Sequence, residues 1–201
     1  YEVDMRLRPS GASGLLVSEI EQFGEYQLTE AWTWEHLALT RARPVAGDHG
    51  VMTEIETFRK DLLKENRDDA KIRTDVQEMR ERISAAKASS GPWDAKIGRG
   101  RLQDIELASQ AATLMSGSSK RTVVEGIEAG VAIDWFDAAE GHALDATYAL
   151  LWKVQVVSKL LNEQNLSESI IGVGGAAFLL RETGMETLDE LEQSLTSHAE
   201  R

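Results

Sequence analysis

The chain opens with a strict alternation of apolar and polar side chains over residues 1–8. A period of two places successive side chains on opposite faces of the backbone, so this stretch predicts a half-buried β-strand. Pro9 and Gly11 stop the alternation, and the segment PSGASG predicts a loop. The polar face of the strand carries Glu2, Asp4, Arg6 and Arg8.

After the loop the apolar spacing becomes helical. Ser18 and Glu21 have the spacing of a capping box, which predicts that a first helix, SEIEQFGEYQ, begins there. A second predicted helix, TEAWTWEHLALTRAR, ends before Pro44, and its Trp34 is expected to anchor the core, braced by Glu30 and Arg41. The turn-rich PVAGDHG then predicts a domain boundary, with one domain over residues 1–47 and a helical bundle over residues 48–201.

The rest of the chain predicts helices, and no proline follows Pro92 to interrupt them. Two apolar stripes with steps of three and four are Met52, Ile55, Phe58 and Leu62, then Ile72, Val76, Met79, Ile83 and Ala86. A loop, ASSGPWDAKIGRGR, precedes a helix with Ile105, Ala108, Ala112 and Met115 in line. The longest helix is predicted from about Phe136 to about Leu161, with an inward row of Phe136, Ala143, Leu150, Val154, Val157 and Leu161. Thr187 to Glu190 predict a capping box, and the fold class is mainly α.

The composition of the chain limits the classes of partner and metal site that we expect. The formal net charge is −12, which disfavours nucleic acid and anionic membranes as partners of the surface as a whole. There is no cysteine, and the four histidines lack ligand spacing, so neither a disulfide framework nor a zinc site is predicted. No apolar run approaches the ~20 residues of a membrane span, and no signal peptide opens the chain. We expect a cytoplasmic location.

Asp4, Arg6 and Arg8 share one strand face at intervals of about 7 Å. An acid beside two arginines suits a divalent cation and a polyphosphate, because carboxylate oxygens bind the metal and guanidinium groups grip phosphate oxygens. The alternative is a solvent-facing strand with a weak ion pair. A two-metal site needs several carboxylates, and no Gly-Ser-x-x-Asp-x-Asp pattern occurs in the 201 residues. The glycine-rich GVGG at 172–175 is not predicted to be a nucleotide loop, because no strand precedes it.

The stretch from YEVDMRLRPSG to EAWTWEHLALTRAR closely resembles the glutamine synthetase adenylyltransferase family, and its form is that of the C-terminal, adenylylating half. AKIGRGRLQDIEL resembles a second family block, from which it departs at Arg101 (glycine expected) and Leu107 (phenylalanine expected). The detailed likeness covers about a third of the chain. It implies a remnant of a polymerase-beta-like nucleotidyltransferase domain, one strand plus helices, followed by a helical bundle.

The resemblance also implies roles. Asp4 would be the third catalytic carboxylate and a ligand of Mg²⁺, and Arg6, Arg8, Ser10 and Gly11 would contact ATP. A bare turn is an equal reading of Ser10 and Gly11. Three residues of the second block have no assigned role, and Asp104 also reads as a helix cap: Lys96, Asp104 and Glu106.

Two functions follow from these expectations. In the first, the chain is part of an enzyme that transfers AMP from ATP to a tyrosine of glutamine synthetase, regulating nitrogen metabolism. Because the family's first two carboxylates belong to a strand absent from these residues, we expect the chain alone to be inactive. In the second, the bundle is a non-catalytic docking or regulatory module for glutamine synthetase or the PII signal protein.

Overall fold

The computed structural model describes residues 8–161, 166 and 168–200. Within them the chain forms nine α-helices after a 3-10 turn at Gly11–Ser13, with no β-strand, so the prediction of a mainly helical fold is confirmed. Residues 1–7 of the predicted strand lie outside this range, and the nucleotidyltransferase remnant stays a prediction. The helices are α1 Ile20–Thr29, α2 Thr33–Arg41, α3 His49–Lys64, α4 Asp69–Ala86, α5 Leu102–Met115, α6 Val123–Ala132, α7 Ala138–Leu161, α8 Glu168–Thr183 and α9 Leu188–Glu200.

Helix α5 lies between two hydrophobic cores and contributes to both. One edge of α5 packs with α2, α3 and α4 in what we call the front core: Leu37, Leu63, Ile72, Leu107, Ala111 and Leu114. Its first turn packs with α6 to α9 in the rear core, whose central side chains are fully buried: Leu151, Val154, Leu179, Leu191 and Leu195. A central helix that serves two cores explains why half or more of its residues are buried.

The closest helix contact is that of α5 with α6, and glycines make it possible. A methyl group at Gly126 would lie 2.1 Å from the Ser109 hydroxyl and 2.7 Å from the Ser109 carbonyl oxygen. One turn later, a methyl group at Gly130 would lie 2.5 Å from the Phe136 ring. All three distances are below van der Waals contact, so a larger residue at Gly126 would force α6 away from α5, and one at Gly130 would displace Phe136.

The first two helices differ from the sequence prediction. Helix α1 begins at Ile20 with Glu19 as its N-cap and no side-chain cap, so the Ser18–Glu21 capping box is wrong. The second helix does not run from Thr29, because the extended backbone of Trp32 separates α1 from α2. The Glu35 carboxylate accepts the Trp32 amide at 2.9 Å, which satisfies a donor at the start of α2.

Trp34 is not the predicted core anchor. Its residue surface is 40% exposed, and Leu37 fills the buried position of α2 instead. The offset of three between them places the two side chains on the same side of the helix, but only the inner one reaches the front core.

The inward row of α7 is right only in its second half. Val154 and Val157 are buried and Leu150 is partly buried, but Ala143 and Leu161 are exposed and Phe136 precedes the helix. A seven-residue repeat drifts by about 20° per heptad on a straight helix, so the row leaves the core toward its ends. The observed row follows the 3.6-residue period: Gly141, Leu144, Thr147, Leu151, Val154 and Ser158.

The stripes predicted for α3, α4 and α5 face the protein interior, except that Ala86 is exposed. The N-terminal cap predicted at Thr187 is confirmed, because its hydroxyl accepts the Glu190 amide at 3.1 Å, while the Glu190 carboxylate accepts the Glu186 amide at 2.9 Å in place of the Thr187 amide. The division between residues 47 and 48 stays a prediction. Among the described residues, no helix is both long and apolar enough to cross a membrane.

Candidate functional site

Three of the predicted nucleotide-binding residues lie in one tight turn. The Gly11 amide donates to the Arg8 carbonyl at 2.8 Å, and the Arg8 side chain donates through Nε to the Gly14 carbonyl at 3.2 Å. Ser10 and Gly11 both have left-handed backbone, with φ of 59° and 55°. Ser10 is exposed, and space is open around Gly11. The turn thus offers an accessible hydroxyl and backbone close to a guanidinium group.

A polar pair ties this turn to the first two helices. The Tyr26 hydroxyl donates to Glu35 Oε1 at 2.9 Å, and Glu35 is buried. Burial raises the pKa of Tyr26, and the hydrogen bond to Glu35 raises it further, while a hydrogen bond with the backbone of Ser10 opposes them. The Ser10 backbone, Tyr26 and Glu35 therefore form a continuous polar connection from the turn to α2.

The second block begins in a loop organised by the buried carboxylate of Asp94. Burial alone would raise the pKa of Asp94, but donors outweigh it and lower that pKa: the amides of Ile97, Ser90 and Lys96 and the Ser90 hydroxyl, at 2.9–3.1 Å. Lys96 itself is exposed. Its backbone holds the loop, and its side chain is open to solvent.

Arg101 stands where the family block carries glycine, and its side chain is buried. It donates through Nη2 to the Pro92 carbonyl at 3.0 Å, while Nη1 is buried without a hydrogen-bond partner in the described part of the chain. Burial lowers the pKa of Arg101, and the nearby Asp94 opposes that shift. Arginine in place of the family's glycine therefore adds a hydrogen bond from a charged side chain inside the loop.

The two acids of the second block make separate ion pairs. Asp104 accepts the Gly100 amide at 2.9 Å and the Arg80 guanidinium at 2.8–2.9 Å, which joins the start of α5 to α4. Glu106 pairs with Arg41 at 3.4 Å, so the second block contacts the end of the first. These contacts agree with the structural reading of Asp104, whereas a functional role for Lys96, Asp104 and Glu106 stays a prediction.

Asp4 and Arg6 lie outside the described residues, and their roles stay predictions. Among the residues that are described, no three His, Asp or Glu side chains come close enough to hold a metal ion. The predicted Mg²⁺ has no ligand set there, and its only proposed ligand is Asp4.

Sequence reasoning missed the arginines that end α2. Arg59 is 3% exposed and donates to the carbonyls of Leu39, Thr40 and Ser119, while Arg121 donates to that of Ala42. The carbonyls of Leu39, Thr40 and Ala42 lie at the C-terminal end of α2, where helix carbonyls lack the usual partner one turn on, whereas Ser119 lies in the loop between α5 and α6. The contacts span 19 to 79 residues, so no local pattern could have found them.

A groove beside α4 was also missed. It is lined by Arg73, Arg80 and Arg99 and by the ring of Trp135. Its one signal in the sequence is the spacing of Arg73 and Arg80, which places both on one face of α4 two turns apart.

Two family models match the chain. Residues 1–58 match the one described as glutamate-ammonia ligase adenylyltransferase, and residues 69–201 match the one described as GlnD PII-uridylyltransferase. The two matches cover different parts of the chain, and the second covers helices α4 to α9.

Comparison with curated relatives identifies the enzyme family more closely. The bifunctional glutamine synthetase adenylyltransferase/adenylyl-removing enzyme of Brucella suis biovar 1 is 36% identical over 202 residues, covering 98% of this chain and 20% of the relative. Its counterparts in Hahella chejuensis and Rhizobium meliloti are 52% and 51% identical over 57% and 58% of this chain, covering 13% and 12% of their own lengths. The chain belongs to the glutamine synthetase adenylyltransferase family and spans about a fifth of the first of these relatives.

Proposed function

We propose that the chain serves, within a longer protein, as part of the adenylylating half of an enzyme that transfers AMP from ATP to a tyrosine of glutamine synthetase. The observation that carries this proposal is the 36% identity over 98% of the chain with a relative bearing that enzyme's name. The family match over residues 1–58, which include Asp4 and the turn after it, supports placing the chemistry at this end.

In the proposed reaction the tyrosine oxygen attacks the α-phosphorus of ATP. A new oxygen–phosphorus bond forms, the bond to pyrophosphate breaks, and the phenolic proton leaves for solvent or a base. Asp4 would bind Mg²⁺, the cation that the resemblance brings with it. Arg6 and Arg8 would contact phosphate oxygens, since arginine offers paired donors to them.

The turn at residues 8–14 supports this assignment. It brings the Arg8 side chain, the exposed Ser10 and the open Gly11 together. The Tyr26–Glu35 pair joins helices α1 and α2, which give the turn a fixed support. The role we propose for these two helices is positioning the turn.

The choice of nucleotide is proposed to lie outside the bundle. Residues 69–201 match a family named for uridylyl transfer, whereas the relatives are named for adenylyl transfer. A helical region present in both kinds of enzyme would serve the step common to both reactions, the transfer of a nucleoside monophosphate. It does not account for the difference between adenine and uracil.

Labelled nucleotides test the reaction. The full-length protein is incubated with glutamine synthetase and either ATP or UTP labelled at the α-phosphate, and the labelled peptide is sequenced by mass spectrometry. We expect AMP on a tyrosine with ATP and no transfer with UTP. Transfer of UMP, or label on a residue other than tyrosine, would contradict the proposed function.

A docking or regulatory role for the helical region is the second candidate, favoured by its match to a family model whose name includes PII. The 201-residue chain would then bind glutamine synthetase or the PII protein without transferring AMP. Calorimetric titration of the chain with each protein tests this role. Binding of either protein without Mg-ATP binding supports this role, whereas Mg-ATP binding by the chain alone contradicts it.

A further inference from the structure

The groove beside α4 is a site that the proposed reaction does not use. Six residues of α4 face it at helical spacing: Arg73, Val76, Gln77, Arg80, Glu81 and Ser84. Its other walls are Arg99 and Gly100 of the loop, the start of α5, and Trp135 in the turn between α6 and α7. Two adjoining cavities of about 690 and 330 Å³ share four lining residues, Val76, Arg80, Arg99 and Trp135.

The charge of the groove is opposite to that of the whole chain. Three arginines (Arg73, Arg80 and Arg99) face two acids, Glu81 and Asp104, although the chain carries a formal charge of −12. Arg99 is exposed and makes no ion pair or side-chain hydrogen bond with any described residue. A local positive surface attracts a negatively charged partner even on a protein whose overall charge is negative.

The positions of the arginines decide which anion fits. Arg73 and Arg80 are seven residues apart on α4, about 10 Å along the helix axis. Arg73 lies over the Trp135 ring, 5.6 Å from its centroid, and Arg80 is fixed on Asp104 at 2.8 Å. With Arg73 engaged on Trp135 and Arg80 on Asp104, the two groups point to separate partners along α4, a spacing that matches acidic side chains spread along an extended segment.

The floor of the groove is apolar. Val76 and Trp135 line both cavities, and Ile105, Ala108 and Leu144 extend the floor. Trp135 is itself held by stacking on Phe136, with ring centroids 4.7 Å apart. A rigid aromatic ring beside aliphatic side chains accommodates an apolar side chain of the partner between its acidic ones.

We propose that this groove docks an extended acidic segment of a partner protein, with acidic residues on either side of an apolar one. The arginines bind the acids and the floor takes the apolar side chain. The inference does not depend on which reaction the longer protein catalyses.

A fluorescence-anisotropy titration of the 201-residue chain tests the proposal. The probe is a short fluorescein-labelled peptide with aspartates and glutamates flanking a phenylalanine, and the control probe carries lysines in their place. We expect the acidic peptide alone to bind, and added salt to weaken it. The double substitution Arg73→Glu with Arg99→Glu should weaken binding by at least about tenfold, because it reverses the charge of two of the three arginines that line the groove.

The matched control is Arg82→Glu. Arg82 is on α4 but lies outside the groove, and its side chain is 80% exposed. This variant should bind within about twofold of the parent chain, as expected for a charge away from the contact. Unchanged melting temperatures verify that all variants fold, and because every substituted arginine is exposed we expect no change.

Three results would overturn the proposal. They are failure of the acidic peptide to bind, equal loss of binding in Arg82→Glu and the double variant, and displacement of the peptide by micromolar pyrophosphate. The last result, if pyrophosphate binding is also lost in the double variant, would identify a phosphate site in place of a peptide groove.

Discussion

The front and rear cores are built differently. The central side chains of the rear core are leucines and valines with no exposed surface, contributed by long helices. The front core is smaller, and its helices are joined by charged groups: Arg59 and Arg121 at the end of α2, Arg80 with Asp104, and Arg41 with Glu106. Among the described residues of the family-like motifs, Leu37 and Leu107 lie in the front core, whereas Ala95, Leu102 and Ile105 lie in the rear core. Polar ties in the front core fix positions that apolar packing alone would leave adjustable.

The largest expected effect breaks the front core. Arg59→Ala removes donors from three carbonyl groups at once and leaves Glu56 without one of its cationic partners. Each buried acceptor left without its donor costs about 1–3 kcal/mol, so loss of the Arg59 side chain is expected to cost about 3 kcal/mol or more. We expect the free energy of unfolding to fall by that amount in urea titrations. Arg82→Ala, at an exposed position, is the control. An equally small change in both variants would contradict a stabilising role for the hydrogen bonds of Arg59.

The rear core should respond through lost packing. Leu151 is fully buried among α7, α8 and α9, so Leu151→Ala leaves a cavity. Truncations of this kind cost about 2–5 kcal/mol, and we expect the lower half of that range. The same urea titration measures it, with the exposed Leu160→Ala as control. Stability unchanged in Leu151→Ala would show that the rear core is not packed as described.

Mild acid should lower the free energy of unfolding through His36 of helix α2. Burial lowers the pKa of His36 below 6.5, although its hydrogen bond to the Gln27 carbonyl opposes this. The unfolded chain then binds more protons, so stability present above pH 6.5 is lost as pH falls through that value. Replacing His36 by glutamine should flatten the melting temperature between pH 7.5 and 5.5. His49→Gln, at an exposed site, should show the same dependence of melting temperature on pH as the parent chain. A parent chain whose melting temperature does not change with pH over this range would contradict the role assigned to His36.

The smallest effect concerns Trp34. Because its surface is 40% exposed, Trp34→Ala should change the free energy of unfolding by no more than about 0.5 kcal/mol. Trp93→Ala is the contrast, since that ring is buried and its Nε1 donates to Glu192 at 3.1 Å. Equal losses in thermal melts would restore Trp34 as a core anchor.

Local patterns predicted the elements whose cause is local. The apolar stripes of α3, α4 and α5 and the cap at Thr187 follow from spacing alone, and the structure confirms them. The start of α2 was misplaced because the Glu35 carboxylate caps the amide of Trp32, whose side chain gives no such signal. The buried position of Leu37 and the exposure of Trp34 depend on which face meets α5, and that is a tertiary choice.

In the candidate site, too, features with a local cause could be predicted from the sequence and features formed by distant residues could not. The loop at residues 9–14 could be predicted from proline and glycine, and the family likeness from the motifs around it. The arginines at the end of α2 could not, because each contact joins residues far apart in the chain. The Trp135 groove likewise requires α4, the loop before α5 and the α6–α7 turn to meet.

The central claim is that Asp4 supplies a carboxylate for AMP transfer in the longer protein. The direct measurement compares the initial rate of AMP incorporation into glutamine synthetase for full-length Asp4→Asn and for Glu2→Gln on the same predicted strand face. We expect Asp4→Asn to lower the rate by at least about a hundredfold, as for loss of a group needed only in the reaction, and Glu2→Gln to keep it. A full rate in Asp4→Asn would contradict the account.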